Sequence, residues 1–434
     1  MAARSLSLHP TFSSRNPFRM TRTHCMNCGE ARLHEFIDLK DQPNGNSFLH
    51  ADELAKEQKF PLAMMVCDNC WQVQINEFPS QKVLFDDHAY ITGRNAPVVA
   101  HFKELAPRIV NKLGLKENDL VIDVGANDGT FLRAFQSQGM RVLGVDPSDR
   151  TGQLARAQGV TVFRQFWCHE TGKSLKQLGV KPDAITATAV FYHVPDLHDF
   201  VAGLEEVMGP NTVFVVQGVN CLDLIQKNEF DHFYHEHSCI HAVGPLQRLF
   251  NAHGLAIRDV EFSPIHGGSF ILYVYRQENP IAESPAVAAA IRAEEEAGLF
   301  RLQTYQDFAA RVEHNMTELR ALLEKLKAEG KTVWGLGAPV KGSTVLNYAD
   351  IGPDLVSHVT EVNEFKIGRV TPGTHIPVID ENAVTEHPDY YLVLCWNFLD
   401  FLLGKYDGYL KAGGRFITPV PSVQILGPGG KPEA

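Results

Sequence analysis

The chain has 434 residues, of which 44% are hydrophobic and 21% are charged, and its formal net charge is −11. These proportions exclude global disorder and collagen-like or coiled-coil architectures, and they leave room for two or more globular domains. The negative charge argues against a large nucleic-acid-binding surface, and no apolar run approaches the ~18 residues of a membrane-spanning helix. We therefore expect neither a nucleic-acid partner nor a membrane partner.

The first 29 residues contain arginine and serine but no aspartate or glutamate. Such a composition resembles that of a transit peptide, but a disordered tail or an upstream start codon is the simpler interpretation and the one that we favour. We assign residues 1–19 to a disordered or targeting extension. A cytoplasmic location is expected, with organellar targeting left open by this extension.

Residues 20–85 show little regular pattern but contain two C-x-x-C pairs. Four thiolates in two such pairs suit a tetrahedral Zn²⁺ ion in a closed structural site, which leaves no open position for a catalytic water. Two redox pairs or free thiols are the alternative. The sequence thus predicts a zinc-binding domain whose ligands are Cys25, Cys28, Cys67 and Cys70.

Residues 86–280 alternate between strand-like and helix-like segments, which is typical of a mainly parallel sheet. Five strands followed by a hairpin give the outline of a class I methyltransferase fold. The predicted strands are 120–125, 141–146, 160–165, 184–190, 212–218, 256–262 and 269–276, and the predicted helices include 130–138, 149–158, 197–208 and 244–254.

A glycine-rich turn follows the first of these strands and opens a helix. Its glycines allow a ligand to approach the backbone closely, and the acid that ends the next strand can accept hydrogen bonds from a ribose diol. The turn has the pattern G-x-N-x-G rather than G-x-G-x-x-G, which favours S-adenosylmethionine (SAM) over NAD; a Rossmann turn for another ligand is the alternative. The predicted cofactor-binding residues are Asp123, Gly125, Asn127, Asp128, Gly129 and Asp146.

Candidate catalytic side chains cluster after the fifth strand, in the segment Phe230-Asp-His-Phe-Tyr-His-Glu-His237. Ligands bind beyond the carboxyl ends of the strands in such folds. A helical turn would place Tyr234 and His237 on one face. A metal held by H-x-H and a purely structural turn are the alternatives. The turn His266-Gly-Gly-Ser269 and the lone His193 are weaker candidates, because a hairpin turn or a packed histidine explains them equally well.

The rest of the chain divides into a predicted helical connector at 281–330 and a second Rossmann-like domain at 331–434. Predicted strands in that domain are 332–337, 356–362, 390–396 and 415–419. A turn at 334–342 is a weak nucleotide-type signal, and close backbone packing without a ligand explains it equally well.

The order of these motifs resembles the SAM-dependent sugar C-methyltransferases of deoxysugar biosynthesis, from about Cys25 to Pro421. That family combines a four-cysteine zinc domain, a class I methyltransferase core and a C-terminal Rossmann-like domain. The markers stand at Cys25 to Cys70, Asp123 to Gly129, His193 to Leu197, Tyr234 to His237, His266 to Ser269, Gly337 to Gly342, Asn347-Tyr348, Lys366 to Arg369, Pro372 to Pro377 and Trp396-Asn397.

The resemblance implies methylation of a carbon next to a ketone, on a nucleotide-linked 4-keto deoxysugar or a related natural-product intermediate. Removal of the acidified proton gives an enolate, whose carbon attacks the methyl group of SAM. His237 is the expected base and Tyr234 the expected partner of the enolate oxygen, because a histidine titrates near neutrality and a phenol is the better donor; the reverse assignment stays open. By resemblance, His266 and His193 line the same pocket.

Four positions depart from the family pattern, which leads us to expect Asn, Glu, Tyr and Arg at Ala189, Gln217, Ile240 and Ile271. Each change removes polarity near the expected cleft, so the acceptor is less certain than the reaction. An NAD(P)-dependent oxidoreductase using the turn at 335–342 and a non-catalytic zinc and interaction module are the competing hypotheses.

Overall fold

The structure, a computed structural model, describes residues 12–13, 19–79, 84 and 90–433. The predicted boundary between residues 85 and 86, and most of the predicted extension at 1–19, lie outside the described residues. Within the described part of the chain there are four β-sheets. No described helix is long and apolar enough to cross a membrane.

Two of the sheets occupy the cysteine-rich region, where the sequence predicted little regular structure. Strand β3 pairs with β4, and the register shifts twice, between Glu35 and Ile37 and again between Asp38 and Asp41. These irregularities break the alternation of buried and exposed residues that identifies a strand. The strands are β1 Phe12–Ser13, β2 Arg19–Arg22, β3 Leu33–Pro43, β4 Lys59–Cys67, β5 Val73–Ile75 and β6 Glu77–Pro79.

A helix missed by the sequence analysis precedes the central sheet. This helix, α1 Ala96–Leu113, begins at Asn95, whose side chain accepts a hydrogen bond from the backbone N–H of Val98. It ends at Gly114, which has a left-handed backbone conformation. Both residues are ordinary signals of a helix start and stop.

The central sheet has the strand order β13-β14-β11-β10-β7-β8-β9, in which five neighbouring strands are parallel and the last two along the chain are antiparallel. The predicted class I methyltransferase arrangement is therefore confirmed. Its elements are β7 Leu120–Val124, α2 Thr130–Gln136, β8 Arg141–Val145, α3 Asp149–Ala157, β9 Val162–Phe163, α4 His169–Gln177, β10 Ala184–Thr188, α5 Leu197–Val207, β11 Val213–Val219, α6 Cys221–Gln226, β12 Cys239–Ile240, α7 Val243–Ala252, β13 Leu255–Ser263 and β14 Ser269–Arg276; β12 pairs with β5.

The C-terminal sheet has the order β17-β16-β15-β18-β19-β20 and is parallel except for β20. Two of its strands, β17 and β20, were not predicted, whereas β16, which is equally short, lies within the predicted strand 356–362. The elements from the connector onward are α8 Pro285–Glu296, α9 Leu302–Ala328, β15 Val333–Leu336, α10 Val340–Tyr348, β16 Val359–Glu361, β17 Val378–Asp380, β18 Tyr390–Val393, α11 Leu399–Lys405, α12 Asp407–Lys411, β19 Arg415–Thr418 and β20 Gln424–Leu426.

Helix α9 joins the cysteine-rich region to the histidine-rich segment. The ring of Phe36, in β3, lies 5.1 Å from that of Tyr305 and 6.3 Å from that of Phe308, both in α9. Phe308 also lies 5.9 Å from Phe233, centroid to centroid. Because Phe233 directly precedes Tyr234, this aromatic cluster holds the backbone in place just before Tyr234 and His237.

Helices α4 and α5 pack backbone against backbone, which generates a stability prediction. A Cβ atom at Gly172 would lie 2.1 Å from the carbonyl oxygen of Gly203. We expect Gly172→Ala to destabilise the protein by about 1–3 kcal/mol, because the helices must move apart. Urea unfolding measures the change. Gly152→Ala in α3 is the control, since its Cβ meets nothing closer than 3.5 Å, and equal stability of the two variants would contradict the packing.

Candidate active site and metal site

A cavity of about 1040 Å³ lies at the carboxyl ends of both parallel sheets. One wall carries the turn after β7, another carries the histidine-rich segment, and a third carries the turn after β15. Single-ligand pockets span about 300–1,000 Å³, so the volume is large enough for two reactants together. The turn at 334–342, for which the sequence left ligand binding and simple packing open, contributes Gly337 and Lys341 to the same cavity.

The turn after β7 is organised around Asp146. One oxygen of this carboxylate accepts from the backbone N–H of Asn127 at 2.8 Å, and the other accepts from the N–H of Ser148 at 2.9 Å. The carboxylate is buried yet lines the cavity. Its position at the end of the second parallel strand is the one at which an acid accepts hydrogen bonds from a ribose.

The six predicted cofactor-binding residues divide into two groups. Gly125, Asn127 and Asp146 line the cavity, whereas Asp123, Asp128 and Gly129 lie behind its wall. Asp123 accepts a hydrogen bond from Thr186 at 2.6 Å, and burial raises its pKa to about 7. Asp128 accepts from the N–H of Gly93 at 2.9 Å. These residues lie behind the turn and do not line the cavity, and their role in holding a cofactor stays a prediction.

His237 and Tyr234 are brought together by a turn rather than by a helix. The N–H of His237 bonds to the carbonyl of Tyr234 at 2.8 Å, and the two rings lie 3.8 Å apart, centroid to centroid. Nδ1 of His237 donates to the carbonyl of His232 at 2.7 Å. Because a carbonyl only accepts, this bond places the proton of the neutral ring on Nδ1 and leaves Nε2 as the basic nitrogen.

Burial controls the protonation of both side chains. It lowers the pKa of His237 well below 6.5, with nearby histidines acting in the same direction. It also raises the pKa of Tyr234 well above 10. At neutral pH the imidazole is therefore unprotonated and the phenol keeps its proton.

The two weaker candidates also line the cavity. Nδ1 of His193 donates to the carbonyl of Glu236 at 2.7 Å, and the rings of His193 and His237 lie 5.0 Å apart. His266 has a left-handed backbone at φ 61°, and burial lowers its pKa to about 4. Ser269 is fully buried, donates to the carbonyl of Ile265 and does not line the cavity.

The departures from the family pattern do not all concern the site. Ala189 and Gln217 line the cavity, and the side-chain oxygen of Gln217 lies 2.9 Å from Nε2 of His101, which donates to it. Ile240 and Ile271 are core residues and do not line the cavity. Neither side chain therefore faces the cleft, although Ile271 is paired across the sheet with Gln217, and packing explains why both are apolar.

The sequence analysis missed a group of buried polar residues beside His232 and His266. Lys341 lies 3.8 Å from Asp231, and Nε1 of Trp396 donates to the same Asp231 oxygen at 2.6 Å. Burial raises the pKa of Glu229, in this group, to about 8. The motifs that contain Lys341 and Trp396, G-A-P-x-K-G and W-N, are visible in the sequence. A lysine early in a helix, however, ordinarily lies on a solvated face, so its burial was not predicted.

The four predicted zinc ligands form one cluster. Their sulfur atoms all lie within 4.8 Å of one another, with Cys25–Cys70 and Cys28–Cys67 separations of 3.4 and 3.6 Å. Zinc–sulfur bonds of about 2.3 Å in a tetrahedron require sulfurs roughly 3.8 Å apart, so the donor set fits one ion. None of the four lines the cavity, which places the ion outside the chemistry.

Three family models match the chain. They are described as "Putative zinc binding domain" at residues 25–85, "Methyltransferase domain" at 98–260 and "C-methyltransferase C-terminal domain" at 264–421. The C-methyltransferase NovU of Streptomyces niveus is 31% identical over 404 residues, covering 93% of this chain and 96% of NovU.

Solved methyltransferase structures match the chain only in part. Magnesium protoporphyrin IX methyltransferase from Synechocystis PCC 6803 with bound SAM is 18% identical, with a TM-score of 0.32, covering 41% of this chain and 81% of that chain. The plantazolicin methyltransferase BpumL in complex with SAH is 12% identical, with a TM-score of 0.35, covering 43% and 87%.

Zinc should contribute to stability because a closed site forms only on folding. We expect the purified protein to hold one zinc per chain by elemental analysis. Cys70→Ser should lose the metal and lower the Tm by about 2 °C or more, equivalent to about 2 kcal/mol for a chain of this length. Cys168→Ser, outside the cluster, is the control and should keep both the zinc and the wild-type Tm. Native protein without zinc would contradict the assignment.

SAM binding should depend on the charge of Asp146. We expect Asp146→Asn to raise the Kd for SAM roughly ten- to a hundredfold, because a charged hydrogen-bond acceptor is worth about 1.5–3 kcal/mol. Calorimetric titration measures the Kd. Asp149→Asn is the control, since its exposed carboxylate pairs with Arg164 instead. An unchanged Kd in Asp146→Asn would place the cofactor elsewhere.

Proposed function

Because the chain belongs to the SAM-dependent C-methyltransferases, we propose that it methylates a carbon next to a ketone, on a nucleotide-linked 4-keto deoxysugar or a related natural-product intermediate. The observation that carries this proposal is the contact between a neutral, buried His237 and Tyr234 in a cavity bounded by the SAM turn. The acceptor class is supported by the motif pattern that spans all three predicted domains.

The cofactor site has a defined role in this proposal. Bound SAM supplies an activated methyl group, so the protein itself needs to provide alignment, a base and stabilisation of negative charge. Gly125, Asn127 and Asp146 are the residues that would hold it. The turn admits no larger residue at Gly125, since φ is +73° and a Cβ would lie 2.4 Å from Val190.

His237 serves as the base in this proposal, and Tyr234 as a hydrogen-bond donor. The bond from Nδ1 to the His232 carbonyl fixes the tautomer in which Nε2 accepts the α-proton. Burial keeps the imidazole unprotonated at neutral pH, so no prior deprotonation is needed. Tyr234 retains its proton and donates to the oxygen on which charge develops.

The oxidoreductase hypothesis is not supported, since the turn at 335–342 opens into the same cavity as the SAM turn and family membership assigns transferase chemistry. The non-catalytic hypothesis fails for the same reason. The acceptor can be sought by incubating the protein with labelled SAM and nucleotide-linked ketosugars, and by detecting the methylated product by mass spectrometry.

Replacing the base should abolish turnover without affecting cofactor binding. We expect His237→Asn to bind SAM normally and to lose about 10²–10⁴-fold in kcat, which is the typical contribution of a positioned base. Tyr234→Phe keeps the ring and should also lose turnover rather than SAM affinity. Steady-state methyl transfer and calorimetric SAM binding measure the two effects.

A second measurement isolates proton removal. In heavy water, with a ketosugar nucleotide and an inert SAM analogue, the wild-type enzyme should exchange the α-hydrogen and His237→Asn should not. His314→Asn is the control, because that histidine is exposed and pairs with Glu318 on the surface of α9. Exchange at the wild-type rate in His237→Asn would transfer the role of base to Tyr234 or His266.

A further inference from the structure

Lys341 differs from the other cations of the cavity wall. Among the described residues, the cavity is lined by Arg94, Lys341, Lys366 and Lys405. Arg94 pairs with Glu364, Lys366 donates to the carbonyl of Ala338, and Lys405 pairs with Glu381. Lys341 is only 8% exposed, and its Nζ has no hydrogen-bond partner in the part of the chain that the structure describes.

The position of this ammonium group is fixed from two sides. Nζ lies 3.9 Å from the centre of the Trp396 ring, a distance typical of a cation–π contact. It also lies 3.8 Å from an Asp231 oxygen that already accepts from Trp396. Neither contact uses the N–H groups in a hydrogen bond, so all three donors remain for a ligand.

The helix that carries Lys341 is attached to the catalytic segment. Thr344, one turn along α10, donates from its hydroxyl to the carbonyl of Phe233 at 3.2 Å. Phe233 directly precedes Tyr234, so the lysine and the tyrosine stand on neighbouring walls. Lys341 also contributes to lowering the pKa of both His232 and His266, which places its charge within the histidine cluster.

We propose that Lys341 is a further catalytic residue, which donates a hydrogen bond to the ketone oxygen of the acceptor and stabilises the enolate. In this step the α-carbon–hydrogen bond breaks and the proton moves to Nε2 of His237. The electron pair of that bond spreads onto the ketone oxygen beside the ammonium. The α-carbon then forms its bond to the methyl group as the methyl–sulfur bond breaks. The inference rests on the proposed function.

The role explains why a cation is left without a hydrogen bond. A buried donor without a partner costs free energy unless a ligand satisfies it. Tyr234 supplies a hydrogen bond but no charge, because burial keeps its phenol protonated. Burial lowers the pKa of Lys341, and the neighbouring carboxylates of Asp231 and Glu229 act in the opposite direction. A positive charge held beside these carboxylates in a water-poor site is what a developing enolate requires, and a single donor to such an oxygen typically contributes 10²–10³-fold in rate.

The test compares Lys341→Met and Lys341→Arg with the wild type, using a nucleoside-diphosphate 4-keto-6-deoxyhexose as the probe. We expect Lys341→Met to reduce both α-hydrogen exchange and kcat by about 10²–10³-fold, with the Kd for SAM unchanged. Lys341→Arg should recover part of that loss. Lys405→Met removes a paired lysine from the same wall and should change the exchange rate less than about threefold, because exposed pairs contribute little.

Three outcomes would separate the possibilities. Exchange by Lys341→Met at close to the wild-type rate would overturn the proposal. A raised KM, with weaker binding of the nucleoside diphosphate alone and a normal kcat, would overturn it too, because Lys341 would then be an anion-binding residue. Wild-type enzyme that neither exchanges nor methylates any ketone would refute the proposed function itself, and with it this role for the lysine.

Discussion

The active site depends on how the buried segment 230–237 is held by hydrogen bonds from three directions. His235 donates to the carbonyl of Pro61 in β4, at 3.2 Å, and Thr344 of α10 donates to the carbonyl of Phe233. His193 donates to the carbonyl of Glu236 from the central domain. Since these buried bonds come from all three parts of the chain, the conformation of the segment depends on their assembly around it.

The zinc site also supports the segment 230–237, through strand β4. Strand β4 runs from Lys59 to Cys67, so one strand carries a metal ligand at its end and the Pro61 carbonyl near its start. The loop between β3 and β4 adds Asn46, whose amide donates to a Glu236 oxygen at 2.6 Å. A metal outside the cavity therefore orders a strand that holds the catalytic segment, without entering the chemistry.

The sequence predicted the central sheet, the glycine turn and the cysteine ligands because each follows a local rule of alternation or spacing. It missed the β3–β4 pairing, because the register shifts destroy the alternation, and it gave no weight to Lys341, because burial of a lysine depends on distant residues such as Trp396. The burial of Ile240 and Ile271 in the core could not be predicted for the same reason. Their surroundings are decided by tertiary packing, which a single sequence does not display.

In the proposed mechanism, burial makes the base His237 and the stabilisation of the enolate interdependent. It lowers the pKa of His237, which keeps the base ready but also makes it a weak proton acceptor. Proton transfer to a weak base is favourable only if the enolate is stabilised by a comparable amount. The phenol of Tyr234 resists ionisation in the same environment, so it supplies a dipole rather than a charge. In the proposed mechanism, the cavity that weakens the base therefore needs a cation beside the ketone oxygen, and Lys341, on the helix that follows β15, is the cation that we propose there.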